Sequence, residues 1–119
     1  MAQTYAKNKL SASTNGLGIK VGNTATIGNL LHTAVAGTGD FDELWIYAHN
    51  ESTTAVLLTL EWGGASVPDN VMSFTCPAKA GRFQLVDGRL INNAKNVTCF
   101  ANSANYIIID GFVNEIRTV

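Results

Sequence analysis

The sequence predicts an all-β chain: a single-domain, jelly-roll-like β-sandwich of seven or eight antiparallel strands with an extended N-terminal arm. Three observations carry this. Apolar and polar residues alternate with period two over several short runs, turn-forming clusters separate the runs about every eight to twelve residues, and no stretch keeps a helical period. Several connections are long, which favours a jelly roll over an immunoglobulin-like sandwich, and the Cys–Trp–Cys spacing of the latter is not matched. At 119 residues the chain forms one domain. A domain of this size buries roughly two-thirds of its unfolded surface.

Residues 1–24 differ from the rest. They are rich in Ser, Thr, Asn and Gly, carry Lys7, Lys9 and Lys20, and have only scattered apolar side chains. Such a segment does not bury enough apolar area to fold on itself, so it is expected as an arm ordered against a neighbour. No acidic residue precedes Asp40, which suits an arm laid on an acidic partner. The sandwich proper is expected over residues 25–119. Ala25 to Val35 leans to strand, because Gly28 and the β-branched residues oppose a helix around Asn29–Ala36.

Asp40 to Gly64 reads as a β-hairpin. Leu44, Ile46 and Ala48 alternate with Glu43, Trp45, Tyr47 and His49, and Val56, Leu58, Leu60 and Trp62 alternate with Ala55, Leu57, Thr59 and Glu61. Asn50 to Thr54 supplies the turn formers. The Leu44–Ile46–Ala48 and Val56–Leu58–Leu60 faces are expected in the core, and the Trp45–Tyr47–His49 face against a neighbouring subunit. Val71–Cys76 is a strand that Pro77 ends. Asp87-Gly88, flanked by Phe83–Val86 and Arg89–Ile91, signals a type I′ hairpin. Val97–Asn102 and Tyr106–Ile116 complete the set, with Gly111 marking a bulge or a close backbone approach.

Charged residues are only 14% of the chain, against about 25% in ordinary globular proteins. A surface of Asn, Ser, Thr, Gly and apolar groups suits a subunit packed among others better than a lone monomer. Net charge is −1 with scattered cations, so no basic footprint for nucleic acid is visible. No apolar run reaches the roughly 20 residues that span a bilayer. The start lacks the apolar core of a secretory signal, so synthesis and assembly in the cytoplasm are expected. There Cys76 and Cys99 are expected as buried thiols, with a disulfide between neighbouring strands as the alternative.

Catalytic groups are sparse, and no enzyme is expected. The G-x-S-x-G pattern is absent, since Gly64-Ala65-Ser66-Val67-Pro68 fails at its last position. His32 and His49 are read as surface histidines of two strands. Asp40-Phe41-Asp42-Glu43 is read as a solvated start to a strand, because calcium needs six to eight oxygens and the EF-hand spacing is missing. Gly16 to Gly22 has GxGxxxG spacing without the strand and helix that make such loops bind phosphate. No metal or cofactor is expected.

The run Leu31 to Gly64, then Val67-Pro68-Asp69-Asn70, the Pro-Ala-x-x-Gly turn from Pro77 to Gly81 and the closing Tyr106–Ile116 resemble capsid decoration, or cement, proteins of tailed bacteriophages. The resemblance spans about Leu31 to Ile116 and is one of pattern. It implies a β-sandwich virion protein that binds the outside of the head through the major capsid protein. It also implies a homo-oligomer, often a trimer. The interface residues expected on this reading are Lys7, Lys9, Lys20, Trp45, Tyr47 and His49. Two alternatives stand beside it: another virion part, such as a head-fibre base, neck or tail component, and a carbohydrate-binding module using Trp45 or Trp62.

Overall fold

The computed structural model describes residues 2–119. They form β1 (Gln3–Lys9), β2 (Ile19–Lys20), β3 (Asn29–Thr33), β4 (Phe41–Asn50), β5 (Val56–Trp62), β6 (Val71–Cys76), β7 (Phe83–Ile91), β8 (Asn96–Ala101) and β9 (Ile107–Thr118). All pairs are antiparallel. The larger sheet has the order β1-β9-β4-β7, with β2 also on β9, and the smaller has β3-β8-β5-β6. The pairing is nested: β1 and β2 lie on β9, β3 on β8, β4 on β7 and β5 on β6. The first half of the chain is thus laid back along the second, which is the jelly-roll arrangement.

This nesting corrects the hairpin expected at Asp40–Gly64. β4 and β5 sit in opposite sheets, and Glu51 to Ala55 arches between them. Alternation is identical for a hairpin and for an arch, because each strand has one inward face either way. The core expectation holds: Leu44, Ile46, Ala48, Leu58 and Leu60 are fully buried and Val56 nearly so, but they meet across the sandwich rather than along one sheet. Ile107, Ile109, Val113, Val97 and Cys99 complete the packed layer. Each large aliphatic side chain buried there contributes about 1.5–3 kcal/mol.

The second hairpin expectation is also corrected. β7 runs through Asp87-Gly88, and the extra residue is absorbed as a bulge opposite Leu44 and Trp45. A type I′ turn needs positive φ at both central residues, but only Gly88 has it, at 93°. Gly88 also makes room for the Trp45 ring, since a Cβ there would lie 2.9 Å from Trp45 Cζ2. Gly111, with φ 155°, is the close approach anticipated: a Cβ there would lie 2.1 Å from the Trp45 carbonyl oxygen. Cys76 and Cys99 are free and buried.

Residues 2–24 do not stand apart from the sandwich. β1 and β2 use the edge of β9 that β4 leaves free. Leu10 and Val21 enter the core. Between them the chain crosses to the smaller sheet: Ala12 N–H donates to the Leu31 carbonyl at 3.1 Å, and Ser11 N–H to His32 Nδ1 at 2.9 Å. The Ala101 amide then donates to the Asn23 carbonyl at 3.1 Å. The segment closes one open side of the sandwich. Only β1 projects: all seven of its residues are exposed, including Thr4, Ala6 and Asn8 on the inward side.

Candidate interaction surface

The outward face of the larger sheet collects the residues expected to bind a partner. Outward positions of β4 are Phe41, Glu43, Trp45, Tyr47 and His49, alternating with buried Asp42, Leu44, Ile46, Ala48 and Asn50. Register carries the face across the sheet. Trp45 is opposite Phe112 and Phe112 opposite Lys9; Glu43 is opposite Asn114 and Asn114 opposite Lys7; His49 is opposite Ile108 and Ile108 opposite Lys20. Lys7, Lys9, Lys20, Trp45, Tyr47 and His49 therefore share one face, with the lysines along its β1/β2 edge.

The centre of that face is aromatic. The Trp45 and Phe112 rings are stacked with centroids 5.9 Å apart and planes within 7°. Lys7 Nζ sits 4.2 Å above the Phe112 centroid. Glu43 Oε1 accepts from Trp45 Nε1 and from Asn114 Nδ2, both at 2.9 Å. These bonds, Asn114 first and then Trp45, outweigh desolvation and hold the Glu43 carboxyl below its usual pKa. Farther along, the Arg82 guanidinium lies 3.8 Å over the Tyr47 ring while its Nε donates to Asp110 at 2.9 Å.

Charges in the middle of the face are thus already partnered, which lowers the cost of covering it. Among the described residues no lysine takes part in an ion pair. Phe41, Leu90 and Tyr5 add exposed apolar surface toward one end. Glu43, Asn114 and Phe112 were not among the residues expected from sequence. Only the pairing of β9 with β4 brings them in.

Two buried polar clusters lie elsewhere, and the first corrects the sequence reading. His32 is buried, not a surface residue: its Nε2 is 2.8 Å from Asp42 Oδ2, and its Nδ1 accepts the Ser11 N–H. That assigns the neutral tautomer with the proton on Nε2, donated to Asp42. Both ring nitrogens are occupied, and Ser11 Oγ instead accepts from Thr33 N–H at 2.8 Å, so the trio is not set up for nucleophilic catalysis.

The carboxylates of the acidic run Asp40–Glu43 point to three different places. Asp42 points inward, bonded to His32 and the Val35 amide, with Oδ1 2.9 Å from Arg117 Nη2. Asp40 accepts from Thr118 on the surface, whose amide is the main cause of its lowered pKa, and Glu43 faces outward. The second cluster surrounds Glu61, only 1% exposed although it points out of the smaller sheet. Thr26 Oγ1, Thr98 Oγ1 and the Gly28 amide all donate to its carboxylate.

A cleft of about 560 Å³ is lined by Phe41, Trp62, Asn70, Leu90, Asn92 and Asn93. Its tryptophan offers no open ring for a sugar. Trp62 is 6% exposed, and Arg89 lies 4.7 Å over the ring. Asn70 and Asn92 spend their amide groups on the Trp62 and Asp40 carbonyls. No protein-family model matches the chain, and no curated protein matches it either.

Proposed function

We propose that the protein is a virion structural subunit, a capsid decoration protein of a tailed bacteriophage that binds the outer surface of the head as an oligomer and stabilises the shell. One observation carries the reading: the larger sheet gathers an aromatic centre of Trp45, Phe112 and Tyr47 and an edge of three lysines, Lys7, Lys9 and Lys20, on a single face. The aromatic part suits contact between subunits, where such side chains are enriched. The lysine edge suits an acidic surface on the major capsid protein. The resemblance over Leu31–Ile116 and the low charge content support the same conclusion. The proposed mechanism is mechanical: binding only to the assembled shell stabilises it by mass action, and many copies on a lattice add avidity to modest single contacts.

The test is co-sedimentation with purified phage heads of wild type and of a Lys7→Glu/Lys9→Glu/Lys20→Glu variant. All three side chains are at the surface, so the variant is expected to keep the wild-type unfolding midpoint. The variant is expected to lose head binding, and wild-type binding is expected to weaken with added salt as screening shortens. Undiminished binding by the triple variant would overturn the assignment of the lysine edge. Wild type that binds no heads would overturn the capsid reading itself.

A further inference from the structure

The four sheet edges differ in how well they are protected. β7 carries two register breaks, one on each side of the Trp45–Ile46 pair. β3 is five residues long with a bulge between Leu30 and His32. β6 is six residues long and stops before Pro77. Bulges, short length, proline and edge charges, lysine above all, are the usual devices against edge-to-edge pairing, and the first three are structural. Among the described residues β1 lacks these three, with seven residues in unbroken register with β9, no proline and no strand on its other side; its one protection is charge, Lys7 and Lys9, which only a pairing that sets lysine against lysine would bring into play.

The hydrogen-bond phase of β1 can be read from its ends. Val119 N–H donates to the Ala2 carbonyl, so even-numbered residues turn their backbone toward β9. Lys9 N–H is instead taken by the side chain of Asn8, as expected of a residue whose amide points away from β9. In an antiparallel ladder these two classes alternate. Gln3, Tyr5 and Lys7 therefore present free amides and carbonyls on the open edge.

We propose that β1 pairs antiparallel with β1 of a second copy, centred on Ala6. A two-fold axis normal to the sheet keeps equivalent faces together, so Tyr5, Lys7 and Lys9 must meet outward-facing residues of the partner. Centring on Lys7 sets lysine against lysine, which is repulsive, and centring on Tyr5 pairs five residues only. Centring on Ala6 pairs all seven. Lys7 then faces Tyr5 of the other copy, where an ammonium over a phenol ring is attractive, and Lys9 faces Gln3. Tyr5 and Lys7 have the free backbone groups, so they exchange hydrogen bonds in two symmetric pairs, and Ala6 meets Ala6 as the close, non-bonded pair. The two larger sheets become one continuous sheet. The inference rests on the reading of the protein as a self-associating subunit but not on its capsid role; between trimers, such a contact would be the tie between neighbours.

The test uses the full chain without heads. An Ala6→Cys variant under mild oxidation is expected to form a covalent dimer at least about tenfold faster than Lys9→Cys, whose two sulfurs would be separated by six residues of strand, about 20 Å. A mixture of Thr4→Cys and Asn8→Cys chains is expected to cross-link with each other and not with themselves. Cys76 and Cys99 stay silent, since burial pushes their thiols up to about 11 and about 12.

In sedimentation, wild type is expected to associate with rising concentration. Tyr5→Pro, which removes an outward amide that β9 does not use, is expected to reduce this without changing thermal unfolding. Ala6→Cys cross-linking no faster than Lys9→Cys, or Tyr5→Pro associating as wild type does, would overturn this pairing. Wild type that still self-associates in that case would leave the oligomer reading standing.

Discussion

Glu61→Ala is the substitution whose cost can be worked most directly from the contacts. Alternation along β5 points Glu61 away from the core, yet residues 26–28 lie over it and bury it. Its carboxylate accepts the Gly28 amide at 2.8 Å, the Thr98 hydroxyl at 2.6 Å and the Thr26 hydroxyl. The Gly28 backbone is fixed against β8, with a Cβ position only 1.9 Å from the Cys99 carbonyl oxygen, so its amide has no second place to turn. A buried donor left without an acceptor costs about 1–3 kcal/mol, and the hydroxyls recover part of their loss by rotating, giving about 3–5 kcal/mol in all. Glu61→Gln keeps one oxygen for Gly28 and Thr98, turns the Thr26 hydroxyl from donor to acceptor of the new amide, and loses charge assistance, about 1–2 kcal/mol in all.

Burial alone would raise the Glu61 pKa, but the bonds from Thr26, Thr98 and Gly28 outweigh it and hold the value below the usual carboxylate range. The stability this confers is therefore present above the unfolded value, about 4.3, and lost as pH falls through the folded one. Urea unfolding followed by tryptophan fluorescence, at neutral and acid pH, measures all three quantities. An Ala variant within about 1 kcal/mol of wild type, or Ala and Gln variants of equal stability, would refute the account.

Gly111→Ala is expected to destabilise severely, by about 3 kcal/mol or more, because the added carbon meets backbone that cannot move aside; Gly88→Ala meets only the edge of the Trp45 ring and is expected to cost about 1–3 kcal/mol and to shift tryptophan emission. Urea midpoints and emission spectra of the two variants check this order. Cys76 and Cys99 are expected to be inert to thiol reagents in the folded protein at pH 8 and to react fully in denaturant. Because their folded pKa values are raised, the stability linked to them is complete below about pH 8.5 and declines as pH rises toward about 11 and about 12, which unfolding midpoints across that range would register.

The sequence reveals inward and outward faces well and strand partners poorly. The period-two pattern at Leu44–Ile46–Ala48 and Val56–Leu58–Leu60 assigns both core faces correctly, since burial is what alternation encodes. It cannot say whether consecutive strands share a sheet, so the arch from β4 to β5 reads as a hairpin. Asp87-Gly88 misleads for a related reason. Asp-Gly supplies a positive φ wherever one is needed, and here the tertiary need is space for the Trp45 ring in a bulged strand.

The buried polar groups were not legible at all. His32, Asp42 and Glu61 look like surface residues because charge argues for solvent, and their cover comes from residues far away in the chain. From sequence, Lys7, Lys9 and Lys20 read as part of an arm and Trp45, Tyr47 and His49 as one strand face, two separate sets; what puts them on one face is β9, which pairs with β4 on one side and with β1 and β2 on the other.

Those two buried clusters share one consequence for the surface. His32, oriented by Asp42, holds the Ser11 amide, and Glu61 holds Thr26 and Gly28, so residues 10–28 are pinned to the smaller sheet at both ends of their crossing. Leu10 and Val21 add apolar anchors within it. β1 leaves this crossing next to the buried Leu10, and among the described residues its strand partner is β9 alone. The arrangement fixes where the lysine edge lies while leaving the outer backbone groups of β1 free. An edge ordered in advance loses less entropy when a partner strand adds to it than a disordered tail would. On the proposed β1–β1 pairing, the polar residues buried far from that edge would act on association through the one segment they hold, so a mild change such as Glu61→Gln is expected to weaken association as well as stability.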